Sequence, residues 1–334
     1  MKVGSIVLST NQGLGYLAKD FYSNGIIDEV LVKKSVRFKD NMEWYPESKM
    51  IGPRNTDFSN SFEKKDIPII INFLSKIDVL FLFEIPFYHN ILSLAKTMGV
   101  KTILMPMYES TPFPIEADLY VCPSKLDLQY YKAMYPNTPS VHIPVPVPNE
   151  IIWKKREKAK VFVHNAGNGG AAGRNGTEEL IEAMKYVKNP IKLIIRSQKK
   201  DFNIQDSRIE YVKNTLPFNE LWQTGDVFIF PEKFNGLSLP LQEAFASGML
   251  VMTTSRFPNT DWLPCEPLIP TKGTKEINLA NIKFDSSILE PKDIAKKIDE
   301  WYDRDIEKFS LLGREFCEQN SWDVLKQKYQ NLWS

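Results

Sequence analysis

Cysteine is scarce: Cys122, Cys265 and Cys317 are the only three in 334 residues, odd in number and far apart. They match neither a disulfide framework nor a zinc ligand set, so a reducing, cytoplasmic setting is expected. An excess of one charge is also missing. Lys plus Arg is 42 and Asp plus Glu is 41, a net of +1. That balance gives no global pull toward nucleic acid and leaves only a local basic patch open. There is no long apolar run. The opening MKVGSIVLST turns polar by Ser9, too short for a signal peptide, and nothing elsewhere approaches a membrane span. Stable membrane insertion is not expected, while peripheral contact stays open. Internal repeats and low-complexity tracts are lacking too, which excludes a solenoid. What is present is an ordinary globular composition, 43% hydrophobic and 25% charged, in a chain long enough for two domains.

Short apolar runs alternate with amphipathic stretches. Residues 3–8, 30–32, 77–83, 101–105 and 119–122 read as strands, and 16–23, 90–98 and 127–134 as helices. Strands that are apolar throughout and joined by helices predict a parallel sheet covered on both faces. Pro139, Pro144, Pro146 and Pro148 then crowd into ten residues, which disfavours helix and stiffens the chain into a linker. A basic run follows (Lys154, Lys155, Arg156, Lys158, Lys160) and the same grammar restarts. Strands are expected at 161–163, 191–195, 227–231 and 250–253, and helices at 177–186, 239–246, 291–302 and 322–333. The expected fold is α/β: two Rossmann-like, doubly wound domains facing a central cleft. Their bounds are 1–148 and 149–318, with 319–334 a helix crossing back to the first. Ligands of such sheets sit beyond the carboxyl ends of the strands.

In the stretch 228–254 a buried strand ends at Pro231, a loop carries Asn235, Gly236, Leu237 and Ser238, and a helix begins at Leu239. Backbone amides at such a helix start suit a diphosphate. Glu243 lies within that helix, where a carboxylate can accept from two ribose hydroxyls. The run Leu-Gln-Glu-Ala-Phe-Ala-Ser-Gly at 241–248 resembles the C-terminal signature of family 4-like, retaining GT-B glycosyltransferases. The resemblance implies that Glu243 binds the donor ribose and that the amides of Gly236, Leu237 and Ser238 serve the phosphates. The family has a second Glu eight residues before the first; here that position is Asn235, an uncharged hydrogen-bonding group. Glu232, three residues earlier, is the other carboxylate able to stand in if the loop is re-registered.

A second loop, His164 to Thr177, carries Gly167, Gly169, Gly170, Gly173 and Gly176 between a strand and a helix. Glycine permits unusual dihedrals and close backbone approach to a ligand. The segment is similar to the family's first C-terminal loop, in which an Arg and a Lys-Gly precede a helix with Leu-Ile-Glu-Ala, here 180–183. The resemblance implies cations that hold the leaving diphosphate. Asn175 stands where the Lys is usual, so Arg174 and Arg196 are expected to share the role. Asn214-Thr215-Leu216-Pro217 and Asn320-Ser321-Trp322-Asp323 resemble two further family segments. The resemblance covers the C-terminal half well and the N-terminal half in outline.

On the acceptor side, Gly13 and Gly15 follow the first strand. They are read either as part of the donor site or as a turn that needs glycine. No acidic residue ends the next strand, which argues against a dinucleotide fingerprint. Glu84 and Glu109 follow strands and can orient or deprotonate an acceptor hydroxyl. His164 is the third catalytic candidate, ahead of His89 and His142. In retaining enzymes of this type the leaving phosphate is expected to take the acceptor proton. Asp303-Arg304-Asp305 reads as a solvated face, no metal ligand set is seen, and the resemblance implies none.

The expected function is metal-independent transfer of a sugar, a hexosyl group foremost, from a UDP- or GDP-sugar donor to a hydroxyl with retention. The nucleotide sugar is a co-substrate and no cofactor is expected. The acceptor stays open among saccharide, lipid-linked sugar and modified DNA. Lys33, Lys34, Arg37 and Lys39 lie near Trp44 and Tyr45, and charge interleaved with aromatics suits nucleic acid. The alternatives are a virus-encoded transferase acting on hydroxymethylated bases of DNA, a non-catalytic GT-B-like nucleotide-binding protein, and an epimerase of the same fold.

Overall fold

The computed structural model describes residues 1–52, 63–84, 86–88, 90–108, 116–168, 170–279 and 282–333. The chain divides into two units. Unit 1 comprises residues 1–146 and 322–334, and unit 2 residues 147–321.

Unit 1 is built on β1 (Val3–Leu8), α1 (Gly13–Ser23), β2 (Glu29–Lys33), β3 (Met50–Ile51), α2 (Ile67–Leu74), β4 (Val79–Glu84), α3 (Ile91–Thr97), β5 (Lys101–Pro106), β6 (Leu119–Cys122), α4 (Lys125–Met134) and β7 (Ser140–His142). The sheet order is β3-β2-β1-β4-β5-β6-β7, and every pairing is parallel. The central strand β4 reads VLFLFE and is buried along five of its six residues, because helices cover both faces. Helix α1 starts at Gly13, three residues before its expected start, directly after the loop that closes β1. Gly15 explains how. A Cβ there would lie 2.0 Å from the Thr10 carbonyl oxygen, so only glycine lets the helix pack that closely on the loop.

Unit 2 repeats the plan with β8 (Val161–Gly167), α5 (Thr177–Ala183), β9 (Lys192–Ser197), β10 (Ile209–Lys213), β11 (Val227–Phe230), α6 (Leu239–Ala246), β12 (Leu250–Thr254), α7 (Asn259–Trp262) and β13 (Leu268–Ile269). Its order is β10-β9-β8-β11-β12-β13, again parallel throughout. An antiparallel hairpin follows, β14 (Thr274–Leu279) and β15 (Ile282–Ser287), then α8 (Pro291–Trp301) and α9 (Glu307–Gln319). The hairpin, α2, α9 and the edge strands β7 and β10 were not expected from the sequence. Arg156 braces this unit from within. Its guanidinium donates to the carbonyls of Lys154, Ser247, Trp222 and Gly225, tying the segment after the prolines to the sheet.

The last helix, α10 (Trp322–Gln330), belongs to unit 1. Phe21 of α1 is fully buried and meets Trp322 at 5.0 Å, Tyr329 at 4.9 Å, Phe83 at 5.1 Å and Phe81 at 5.7 Å between ring centroids. Each such aromatic pair adds about 0.5–1.5 kcal/mol beyond its buried area.

Both sheets have a switch point, where strand order reverses. In unit 1 it lies between β1 and β4, and in unit 2 between β8 and β11. Loops leaving the carboxyl ends there diverge and leave room for a ligand.

Candidate functional site

In unit 2 the two loops at the switch point are the glycine-rich loop after β8 and the loop after β11. They are joined directly, since the Lys233 amide donates to the Arg174 carbonyl at 2.7 Å. Gly176 makes the approach possible. Its φ is +66°, and a Cβ there would lie 2.1 Å from the Pro231 carbonyl oxygen. The glycine-rich loop curls through left-handed positions at Gly167, Gly170, Ala172, Gly173 and Gly176. Ala172, with φ +50°, holds a conformation that costs an L-residue roughly 1–2 kcal/mol.

His164 does not take part as a base. It is fully buried, with Nδ1 2.9 Å from the Ile229 carbonyl and Nε2 2.7 Å from Thr177 Oγ1. A carbonyl only accepts, so Nδ1 carries the proton and Nε2 accepts from the threonine. Burial pushes the ring down to about 4, and both nitrogens are spent on bolting β8 to β11 and to the start of α5. The sequence expectation of a catalytic role is corrected accordingly.

After β11, Glu232 is almost wholly buried at 1% exposure. Its carboxylate accepts from Asn259 Nδ2 at 3.0 Å and Asn235 Nδ2 at 3.2 Å, and pairs with Arg256 Nη1 at 3.4 Å. Arg256 Nη1 also donates to the Asn235 carbonyl at 2.9 Å. Glu232 therefore does not stand in for the missing carboxylate at 235. It clamps the loop from behind. Asn235 gives one amide hydrogen to that clamp, which leaves its Oδ1 as the group able to accept from a ligand. Gly236, Leu237 and Ser238 follow, all buried, and Ser238 precedes α6. Glu243 lies in the second turn of that helix and is buried at 8% exposure. On the far side, Phe234 packs on Phe284 of the hairpin at 4.7 Å, and the Ser287 amide donates to the Lys233 carbonyl at 2.8 Å.

Three buried polar atoms at this edge have no partner among the described residues: Asn165 Oδ1 on β8, Ser238 Oγ before α6 and Thr254 Oγ1 ending β12. Leaving such groups unpaired costs about 1–3 kcal/mol each. Arg174 is half-buried, and its guanidinium makes no hydrogen bond or ion pair among the described residues. Arg196 is buried on β9, with Nη1 donating to the Leu221 carbonyl at 2.6 Å. Lys233, Arg256 and Asn259 are the residues sequence reasoning missed. Lys233 lies on the loop after β11, while Arg256 and Asn259 lie after β12, and only their own basic or polar character marked them.

In unit 1, Glu84 ends β4, half-buried and at φ +60°, again a strained position. Glu109 and His89, both candidates from sequence, lie outside the described residues. Gly13 is exposed at the start of α1, and Gly15 is buried against Thr10. Lys33 leaves the basic cluster: it is fully buried, its Nζ 5.6 Å from the centre of the Phe87 ring. Lys34, Arg37 and Lys39 are exposed. Their loop is stapled to the loop after β1, because the Asn41 amide donates to the Ser9 carbonyl and Asn41 Nδ2 to Asn11 Oδ1, each at 2.6 Å. Tyr16 and Trp44 meet in a tilted pair, 5.2 Å between ring centroids. No cluster of three His, Cys, Asp or Glu side chains able to hold a metal is found among the described residues, and no described helix is long and apolar enough to cross a membrane.

The two units are Rossmann-like α/β domains of the GT-B fold, the fold of glycosyltransferases. The chain is similar along its whole length to solved structures of that class. HepE of Anabaena, in complex with UDP and glucose, is 11% identical, with 100% of this chain and 99% of that one covered and a TM-score of 0.68. A glycosyltransferase from Rickettsia africae is 13% identical, with 99% and 97% covered and a TM-score of 0.69. Sucrose-phosphate synthase from Thermosynechococcus elongatus is 13% identical, with 100% and 98% covered and a TM-score of 0.66. No family model matches the sequence, and no curated protein matches it.

Proposed function

We propose that the protein is a retaining glycosyltransferase that uses a nucleotide-sugar donor, of the UDP or GDP type, and acts in the cytoplasm. The observation that carries this reading is the carboxyl edge of unit 2. Two loops hydrogen-bonded to each other carry Arg174 and lead into the helix of Glu243, and three buried polar atoms without partners among the described residues lie on β8, before α6 and at the end of β12. Nucleotide complexes of structural neighbours, HepE with UDP and with UDP-glucose, support the same donor class. In this reading Glu243 accepts from the ribose hydroxyls, and the amides of Gly236, Leu237 and Ser238 meet the phosphates. Asn235 Oδ1 accepts from a hydroxyl of the donor sugar. The bond from the sugar C1 to the phosphate oxygen breaks and a bond from C1 to the acceptor oxygen forms on the same face. The acceptor proton passes to the departing phosphate oxygen. Protein cations neutralise the leaving diphosphate, so no metal is required.

The test is a panel of UDP- and GDP-sugars in the presence of a chelator, with released nucleoside diphosphate measured and product anomers resolved by NMR. Turnover with retention is expected, with a hexose the leading sugar. Nucleotide binding without any turnover would move the protein to a non-catalytic binding role, and release of a free sugar epimer to an epimerase.

A second reading concerns the acceptor. Exposed Lys34, Arg37 and Lys39 and the aromatic pair Tyr16 and Trp44 suit a polyanion with flat bases, so DNA carrying hydroxymethylated bases is the alternative to a saccharide or lipid-linked sugar. A gel shift that weakens steeply with salt is expected in that case. Absence of binding at low salt removes it.

A further inference from the structure

We infer that Lys233 supplies the second cation of the donor site, paired with Arg174 on the diphosphate, and that Asn175 does not take that place. The inference rests on the proposed nucleotide-sugar site of unit 2.

Backbone geometry brings the two cations together. The Lys233 amide donates to the Arg174 carbonyl at 2.7 Å, and the Lys233 carbonyl accepts from Ser287 at 2.8 Å. Lys233 is thus held from both sides, on the loop that faces the glycine-rich one. Its side chain turns toward that loop, since a Cβ on Gly173 would lie 3.6 Å from Lys233 Nζ. The ammonium group therefore sits over the residue that precedes Arg174.

Asn175 is committed elsewhere. Its Nδ2 donates to the Ala166 carbonyl at 3.1 Å, and its carboxamide packs on Gly170, within about 3.0 Å of where a Cβ there would stand. It shapes the loop and carries no charge. A lysine at 175 would lose that bond and repel Lys233.

Glu179 explains how the ammonium stays in the site. Lys233 Nζ pairs with Glu179 Oε1 at 2.5 Å, with the two side chains only 15% and 26% exposed. A lone lysine stem would swing into water. Here one of the three ammonium hydrogens is held by the carboxylate and the others remain for a ligand. A diphosphate oxygen is the ligand chemistry that fits, a compact anion beside a guanidinium and a partly desolvated ammonium.

The experiment is calorimetric titration of the full chain with UDP, GDP and ADP, followed by variants titrated with whichever the wild type binds most tightly. Lys233→Met should weaken binding at least tenfold, and Lys233→Arg should keep it within threefold. Lys233→Gln replaces the Met variant should that one not fold. A wild type that binds no nucleoside diphosphate overturns the functional reading and this inference with it. Wild-type binding that Lys233→Met leaves within threefold overturns the inference alone. So does a loss that Lys233→Arg shares in full, which would mark Lys233 as a brace for the loop.

Discussion

The Glu232 carboxylate accepts a hydrogen bond from the Asn235 side-chain amide at 3.2 Å, and this contact gives position 235 a reason to be an amide. A carboxylate has nothing to donate, so the neighbour that faces it must. Asn235→Glu would set two carboxylates against each other where only Arg256 is at hand. One of them would then ionise late. Its folded-state pKa would be raised, so stability is present at low pH and lost as pH rises through that value. A loss of about 1–3 kcal/mol relative to wild type at pH 8 is expected, largely regained near pH 5. Adding Glu232→Gln should remove the pH dependence. Urea unfolding at the two pH values measures it, and a penalty equal at both would refute the pairing.

His164 sets an acid limit on unit 2. Its folded pKa is near 4, against an ordinary 6.5, because burial opposes the charged ring. The sign follows from which state binds the proton. Above 6.5 neither state is protonated and the full stability is present. As pH falls from there toward 4, only the unfolded chain gains the proton, and about 3 kcal/mol is lost. His164→Asn keeps a donor for the Ile229 carbonyl and cannot titrate. Its stability should fall less between pH 6.5 and 4 than that of the wild type, by about that amount, in urea midpoints taken across the range. Parallel slopes would refute the role.

Gly176→Ala tests the join between the two loops. The substitution meets a left-handed backbone and a carbonyl 2.1 Å away, and these together cost about 2–4 kcal/mol. Because the strain falls on Pro231, nucleotide affinity should drop along with the thermal midpoint. A midpoint that falls while affinity holds would show that the two loops do not act as one site.

Glu243→Ala addresses the ribose contact directly. At least tenfold weaker binding of the nucleoside diphosphate is expected by titration calorimetry, and Glu243→Gln should recover part of it by keeping one acceptor. Unchanged binding in the Ala variant would sink the nucleotide assignment.

The parallel core was legible because β4, β5, β8, β11 and β12 are buried on both faces and read as apolar runs. Other elements were not legible, for reasons that can be named. The segment IPIIINFL of α2 is apolar almost throughout, so its periodicity does not separate helix from strand. The edge strands β7 and β10 are half-exposed and short of apolar residues. The strands of the 274–287 hairpin alternate, but the sequence between them, Ala280-Asn281, is not of the Asn-Gly type. At the site, the glycines and Glu243 stand out in sequence because their spacing belongs to one strand-loop-helix unit. The Glu232–Arg256–Asn259 clamp joins side chains up to 27 residues apart, and Lys233 meets Glu179 across 54. Contacts between loops of different strands leave no local pattern to read. The Ile229 partner of His164 was hidden for the same reason, since the two become neighbours only when β8 lies beside β11.

The division of the chain also sets an order of events. Unit 2 is one unbroken stretch, 147–321, whereas unit 1 is discontinuous and takes its final helix from 322–334. A ribosome therefore delivers every residue of the second unit before the first can close. Until Trp322 and Tyr329 emerge, Phe21 lacks two of its four aromatic neighbours. The nascent first unit waits with an open apolar seam along α1 and β4, and vectorial synthesis lets it close only after the whole insert has been made.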